Sequence, residues 1–124
     1  MTPRIAADLD VESLERGRVH HLYVDLVHDG LGAPVRAAVL VGRGERPGPV
    51  FGLAAALHGN ELNGIPVIHG LFESLGRVPV KGTVVGVVGV NVPGILARTR
   101  SYTDAEATDL NHICLLYTSP SPRD

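Results

Sequence analysis

Two apolar stretches separated by a helical stripe constrain the fold of this chain more than any other feature. Residues 50–57 are apolar throughout and residues 83–90 are rich in valine, as strands buried on both faces usually are. Between them, apolar residues recur with helical spacing over residues 65–75, with Pro66 in the first turn and Gly76 able to end the helix. The order strand, helix, strand predicts a β-α-β unit with residues 50–57 in the centre of a sheet.

The preceding segment predicts a β-hairpin. Apolar and polar residues alternate over residues 18–28, which places Leu22, Val24 and Leu26 on one face of a half-buried strand. A turn containing Asp29-Gly30 follows, and residues 35–41 form the second strand.

Two other segments have weaker patterns. Residues 1–17 predict a loosely held arm with a short helix. Residues 42–49 are rich in glycine and proline and predict a loop.

Length, composition and charge limit the classes of protein to which this chain can belong. A chain of 124 residues with 44% hydrophobic residues is one domain with an aliphatic core. A formal net charge of −2 gives no electrostatic reason to expect a nucleic-acid partner, and no stretch approaches the roughly 18 apolar residues of a membrane span. With Cys114 as the only cysteine there is no internal disulfide, so we expect a cytoplasmic protein.

A histidine and a glutamate three residues apart follow the first predicted strand. His58 and Glu61 lie where this strand ends, which is the edge of an open α/β sheet where ligands bind. An imidazole nitrogen and a carboxylate are both ligand types for zinc. The same residues also suit the start of a helix, with Asn60 or Asn63 as cap and Glu61 in the first turn. The motif alone leaves metal binding and helix capping both open.

The other histidines favour structural positions. His20, His21 and His28 lie on or beside the alternating strand, which sends neighbouring side chains to opposite faces, and we expect them at the surface. His69 lies beside the helical stripe and is predicted at the boundary of the core.

Three downstream segments follow in a specific order: Asn91-Val92-Pro93-Gly94, then Arg98-Thr99-Arg100, then Asp109-Leu110-Asn111. Taken with His58 and Glu61, this series resembles the succinylglutamate desuccinylase/aspartoacylase family of zinc deacylases, relatives of the zinc carboxypeptidases. The resemblance runs from residue 18 to residue 111. It implies a three-layer α/β/α sandwich with a mixed central sheet, here truncated, and hydrolysis of the amide of an N-acyl amino acid.

The resemblance also implies roles for individual residues. His58 and Glu61 match the first two zinc ligands, so the expected cofactor is Zn²⁺. Arg100 matches the catalytic arginine that stabilises the oxyanion on the scissile carbonyl, and Asn111 matches the asparagine that helps to hold the substrate carboxylate. The expected partner is a small-molecule N-acyl amino acid, and the oligomeric state is not indicated.

The chain departs from the family pattern in two respects. His112 stands where the family has an arginine, and an imidazole cannot clamp a carboxylate in the bidentate way of a guanidinium. The third zinc ligand and the general-base glutamate of the family match no residue of this chain. We therefore expect residues 1–113 to be the amino-terminal part of a zinc deacylase domain that is inactive alone.

The last eleven residues have a different origin in our interpretation. Residues 114–124 agree with the in-frame translation of a transposase-type sequencing adapter, and we expect a non-native, disordered tail. A natural tail rich in serine and proline is the alternative.

Two other functions stay open at this point. One is a metal-free binding module of the same fold, in which the loop with His58 and Glu61 only caps a helix. The other is a zinc carboxypeptidase that acts on peptides.

Overall fold

The computed structural model describes residues 3–101, and a mixed five-stranded sheet forms their centre. The elements are β1 (Arg4–Ala6), a 3-10 turn (Val11–Ser13), β2 (Arg18–His28), β3 (Pro34–Arg43), β4 (Arg46–Ala54), α1 (Gly64–Leu75), β5 (Lys81–Val87) and α2 (Val92–Ala97). The strand order is β1-β2-β3-β5-β4; β3 is antiparallel to both neighbours, and the outer pairs are parallel. The mixed sheet with helices confirms the predicted fold class.

The predicted β-hairpin is present as β2 and β3. The Asp29 carboxylate accepts hydrogen bonds from the backbone N–H groups of Leu31 and Ala33, and Gly32 adopts a left-handed φ of 79°. The predicted face is correct for two residues and wrong for Leu26, which is exposed. A shift in strand register between Asp25 and Val27 breaks the alternation there.

Helix α1 covers one face of the sheet. Its buried residues Ile68 and Phe72 pack against Leu40 of β3, and burial of each of these two side chains stabilises the fold by about 2–3 kcal/mol. Gly86 of β5 allows this close approach, because a Cβ atom there would lie 2.7 Å from Cε2 of Phe72. Among the described residues, neither helix has the length and apolar character that crossing a bilayer needs.

The described part of the N-terminal segment contacts the opposite face of the sheet through Leu14, and a 3-10 turn at Val11–Ser13 lies where the short helix was predicted. Strand β1 pairs in parallel with β2, and Leu14 is buried against Val39 and Val41 of β3. The Arg43 guanidinium also donates a hydrogen bond to the Leu14 carbonyl at 2.9 Å. Strand pairing at β1 and burial at Leu14 therefore attach to the sheet a segment whose local sequence pattern is weak.

The largest differences from prediction concern β4. This strand begins at Arg46 and lies at the outer end of the described sheet, so its predicted central position is wrong for the described residues. Its apolar residues Val50 and Phe51 are 65% and 59% exposed. The prediction of a loop over residues 42–49 is also wrong. Strand β3 continues to Arg43, and β4 already begins at Arg46, where it pairs with Lys81 of β5. A register irregularity between Arg46 and Val50 accommodates the two prolines, which cannot donate to the strand ladder.

Candidate functional site

The carboxyl ends of β4 and β5 lie at the same edge of the sheet, because the two strands are parallel. Backbone pairing continues beyond them: the N–H of Val90 donates to Ala55 at 2.9 Å, and the N–H of Asn91 donates to Ala56 at 3.0 Å. Ala56 has a left-handed φ of 55°, a strain of about 1 kcal/mol for a residue with a Cβ atom. The chain therefore turns sharply at the sheet edge just before His58.

His58, Glu61 and Arg100 form one cluster at this edge. His58 Nδ1 lies 3.1 Å from Glu61 Oε2, and Arg100 Nη1 donates to Glu61 Oε1 at 2.8 Å. His58 is buried, with 8% of its surface exposed, whereas the Glu61 and Arg100 side chains are more than half exposed. The site thus has a buried imidazole at its base and a carboxylate that is open to solvent.

The surroundings of Glu61 favour its ionised form. The hydrogen bond to His58 is the largest cause that lowers the pKa of the Glu61 carboxyl below its ordinary value of 4.5, and the hydrogen bond from Arg100 follows. At neutral pH the carboxylate is therefore negatively charged and able to bind a cation.

Gly59 lies where two backbone segments meet. Its N–H donates to the Arg100 carbonyl at 3.2 Å. A Cβ atom at this position would lie 2.2 Å from the Gly94 carbonyl carbon and 2.3 Å from the Thr99 carbonyl oxygen. Only glycine fits here, so the loop that contains His58 packs directly against the segment that contains Arg100.

Asn91 connects the same two segments through its side chain, and the motif analysis did not assign it this structural role. It is 0% exposed and is the N-cap of α2, where its Oδ1 accepts from the Gly94 N–H at 2.9 Å. Its Nδ2 donates to the carbonyls of Leu57 and Arg100, each at 3.3 Å. The sequence did carry a signal for the cap, because an asparagine shortly before a proline is typical of a helix start.

The predicted site residues divide into two groups. His58, Glu61 and Arg100 meet at the sheet edge, whereas Asn111 lies outside the described residues, as do His112 and the proposed tail. Over residues 3–101, no group of three or more histidine, cysteine, aspartate or glutamate side chains is placed to hold a metal ion.

One structural prediction about this region is confirmed and two are wrong. Asn63 occupies the predicted N-cap position of α1, although its side chain makes no capping hydrogen bond, whereas Glu61 precedes the helix and does not lie in its first turn. His69 is exposed, so it does not lie at the boundary of the core.

Sequence comparison matches one family over most of the site. The profile of the succinylglutamate desuccinylase/aspartoacylase catalytic domain matches residues 47–120, which is more than half of the chain. No curated protein matches the chain.

Solved structures show the same fold. An aspartoacylase family protein from Mesorhizobium loti is 22% identical with a TM-score of 0.66, over 79% of this chain and 31% of that protein. A succinylglutamate desuccinylase/aspartoacylase from Rhodobacter sphaeroides is 23% identical with a TM-score of 0.66, over 94% of this chain and 39% of that protein. The product-bound ectoine utilization protein from Ruegeria pomeroyi is 25% identical with a TM-score of 0.59, over 89% of this chain and 32% of that protein.

The chain thus spans between three and four tenths of the length of these three proteins. The profile match covers both the loop with His58 and the segment with Arg100, the two segments that the fold brings together. By this match, the chain belongs to the succinylglutamate desuccinylase/aspartoacylase family.

Proposed function

We propose that this chain carries part of the active site of a zinc-dependent deacylase that hydrolyses the amide of an N-acyl amino acid. The observation that carries the proposal is the cluster at the sheet edge. There the Glu61 carboxylate lies within hydrogen-bonding distance of both the His58 imidazole and the Arg100 guanidinium. Family membership supports a deacylase.

The donor atoms of His58 and Glu61 fit a shared zinc ion. Zinc binds imidazole nitrogen and carboxylate oxygen at about 2.0–2.2 Å, so two such ligands of a tetrahedral ion lie about 3.3 Å apart. The observed separation of Nδ1 and Oε2 is 3.1 Å. The lowered pKa of Glu61 keeps its carboxylate ionised, as a metal ligand must be.

Catalytic zinc sites use three protein ligands, and residues 3–101 supply two of them in our proposal. The third ligand would come from outside this range. When bound, zinc would polarise the scissile carbonyl and lower the pKa of a water molecule.

Arg100 would act on the charge that develops during hydrolysis. Its guanidinium is always protonated and can donate to the oxyanion that forms on the scissile carbonyl. It is bound to Glu61 Oε1, but both side chains are more than half exposed, so solvent weakens this ion pair. Arg100 can therefore turn toward a substrate while Glu61 binds the metal.

The proposed substrate class rests on the family and on two further residues. Asn111, in our proposal, helps to hold the substrate carboxylate. The ectoine utilization protein has a structure with bound product, which agrees with a small-molecule substrate. His112 in place of an arginine predicts a weaker hold on the substrate carboxylate.

Metal analysis tests the proposal most directly. The protein is expressed at the length that its gene encodes, and we expect about one zinc per chain by mass spectrometry and titration calorimetry. His58→Ala and Glu61→Gln should each lose the metal and the release of amino acid from N-acyl amino acids. His69→Ala is the matched control, because this histidine is exposed on α1 outside the cluster.

A second candidate, a metal-free binding module, is favoured by one observation. The Glu61 carboxylate already has an arginine partner, which satisfies its charge without a metal ion. A full-length protein that is folded and binds no zinc would support the module and overturn the deacylase. If zinc is bound, a panel of N-acyl amino acids against short peptides separates a deacylase from a carboxypeptidase.

A further inference from the structure

We propose that Asn91 is a positioning residue that holds the segment with Arg100 at a set distance from the loop with His58 and Glu61. The inference rests on the proposed deacylase function and adds to it a residue that touches neither metal nor substrate. It depends on the contacts of one fully buried carboxamide.

The Asn91 side chain connects three backbone segments. Its Oδ1 accepts from Gly94 N–H at 2.9 Å, which fixes the carboxamide at the start of α2. Its Nδ2 then donates to the Leu57 carbonyl, directly before His58, and to the carbonyl of Arg100 itself. The first of these residues is 34 positions away in the chain and the second is nine positions away.

The Arg100 carbonyl is the point where the two halves of the site meet. It accepts one hydrogen bond from Asn91 Nδ2 and another from the Gly59 N–H, at 3.3 and 3.2 Å. The long Arg100 side chain is more than half exposed, so its placement depends on where its own backbone is held. A shift of about 1 Å in a catalytic group can reduce the rate about 100-fold.

Neither aspartate nor serine can replace all the contacts of the Asn91 side chain. Aspartate keeps the acceptor for Gly94 but cannot donate to the two carbonyls, and its charge would face them. Serine keeps the helix cap but is too short to reach Leu57 and Arg100. These two substitutions therefore separate the capping role from the positioning role.

A double-mutant cycle tests the inference in the zinc-loaded protein at the length that its gene encodes. We expect Asn91→Ser to lower kcat about 10- to 100-fold with a smaller change in KM. In an Arg100→Ala background the same substitution should lower kcat by a clearly smaller factor, because no guanidinium is left to position and only the contact with Leu57 still matters. Thr83→Ala, at a buried position on β5, is the control and should lower Tm without this loss of kcat.

A second measurement is independent of enzyme activity. In the same protein, amide hydrogen exchange at the Gly59 N–H should be faster in Asn91→Ser, because the Arg100 carbonyl that accepts from it is no longer held by the carboxamide. Thr83→Ala should leave the exchange at Gly59 less affected than Asn91→Ser does. If Asn91→Ser does not fold, Asn91→Asp takes its place in both experiments.

Two outcomes would overturn the positioning role. One is an undiminished loss of kcat for the Asn91 variant in the Arg100→Ala background, and the other is an unchanged rate of hydrogen exchange at the Gly59 N–H. A protein that binds no zinc and has no deacylase activity would instead overturn the proposed function, while hydrogen exchange at Gly59 still decides the role of Asn91.

Discussion

Two turns lie at the same end of the sheet and are held in different ways. The hairpin turn between β2 and β3 is organised by Asp29, whose carboxylate reaches only as far as Ala33. The loop after β4 is organised by Asn91 and Arg100, which are 34 and 39 residues away from the groups that they contact, Leu57 and Glu61. The hairpin is therefore a local structure, whereas the candidate site depends on the tertiary fold.

This difference has consequences for stability. Local side-chain bonds to exposed backbone contribute little, because water replaces them when they are lost. Bonds from a buried side chain contribute more, because their loss leaves carbonyl groups without partners inside the protein. Substitutions in the loop after β4 should therefore lower the free energy of unfolding more than substitutions in the hairpin turn.

The largest effect is expected for Gly59→Ala. The new Cβ atom would meet backbone atoms of Gly94 and Thr99 at 2.2 and 2.3 Å, which the rigid packing of two segments cannot absorb. We expect a loss of about 3 kcal/mol in the free energy of unfolding, measured by denaturant titration.

Gly30→Ala in the hairpin turn is the matched control. No atom lies within 4 Å of the position of its Cβ, and its φ is outside the left-handed region, so its stability should change by less than about 0.5 kcal/mol. Equal effects of the two substitutions would contradict the proposed difference between the turns.

A smaller effect is expected from removal of the polar side chains. Asn91→Ala should lower the free energy of unfolding by about 2–3 kcal/mol, because the carbonyl groups of Leu57 and Arg100 each lose the hydrogen bond that the buried carboxamide donates. Asp29→Ala should cost about 1 kcal/mol or less, since its partners can bind water. Thermal unfolding of both variants measures the two losses, and a larger loss for Asp29→Ala would reverse the comparison.

The smallest effect is expected from pH. The pKa of Glu61 is lowered in the folded state, so its contribution to stability is present above its ordinary pKa of 4.5 and is lost as pH falls through the folded value. Because the carboxylate is exposed, the change in stability should be small. NMR titration should find the pKa of Glu61 below 4.5 and nearer 4.5 in His58→Ala and Arg100→Ala, and an unchanged value in both variants would exclude the assigned causes.

The sequence pattern predicted the elements with strong local signals. Alternation over β2, the turn around Asp29 and the helical stripe of α1 were all found close to their predicted bounds. The sequence pattern failed for β4. An apolar run indicates that a strand tends to be buried, but it does not indicate which element covers the strand. It also failed for residues 42–49, where pairing with β5 outweighs the glycines and prolines.

The candidate site was predicted in part. The spacing of His58 and Glu61 after a strand indicated a ligand site, and the resemblance to a family added Arg100. Neither indicated that Arg100 would bind Glu61 directly, or that the Asn91 carboxamide would join the two segments. These contacts join residues nine to 39 positions apart, and a local pattern carries no information on such distances.

By itself the sequence determined the hairpin, the helix and the chemical types of the site residues, because backbone propensity and side-chain chemistry act within a few residues. Only the tertiary structure decided that β4 lies at the end of the described sheet and that Glu61 lies between His58 and Arg100. The physical reason is that backbone pairing beyond β4 and β5, together with one buried carboxamide, sets the distance between segments that are far apart in the chain.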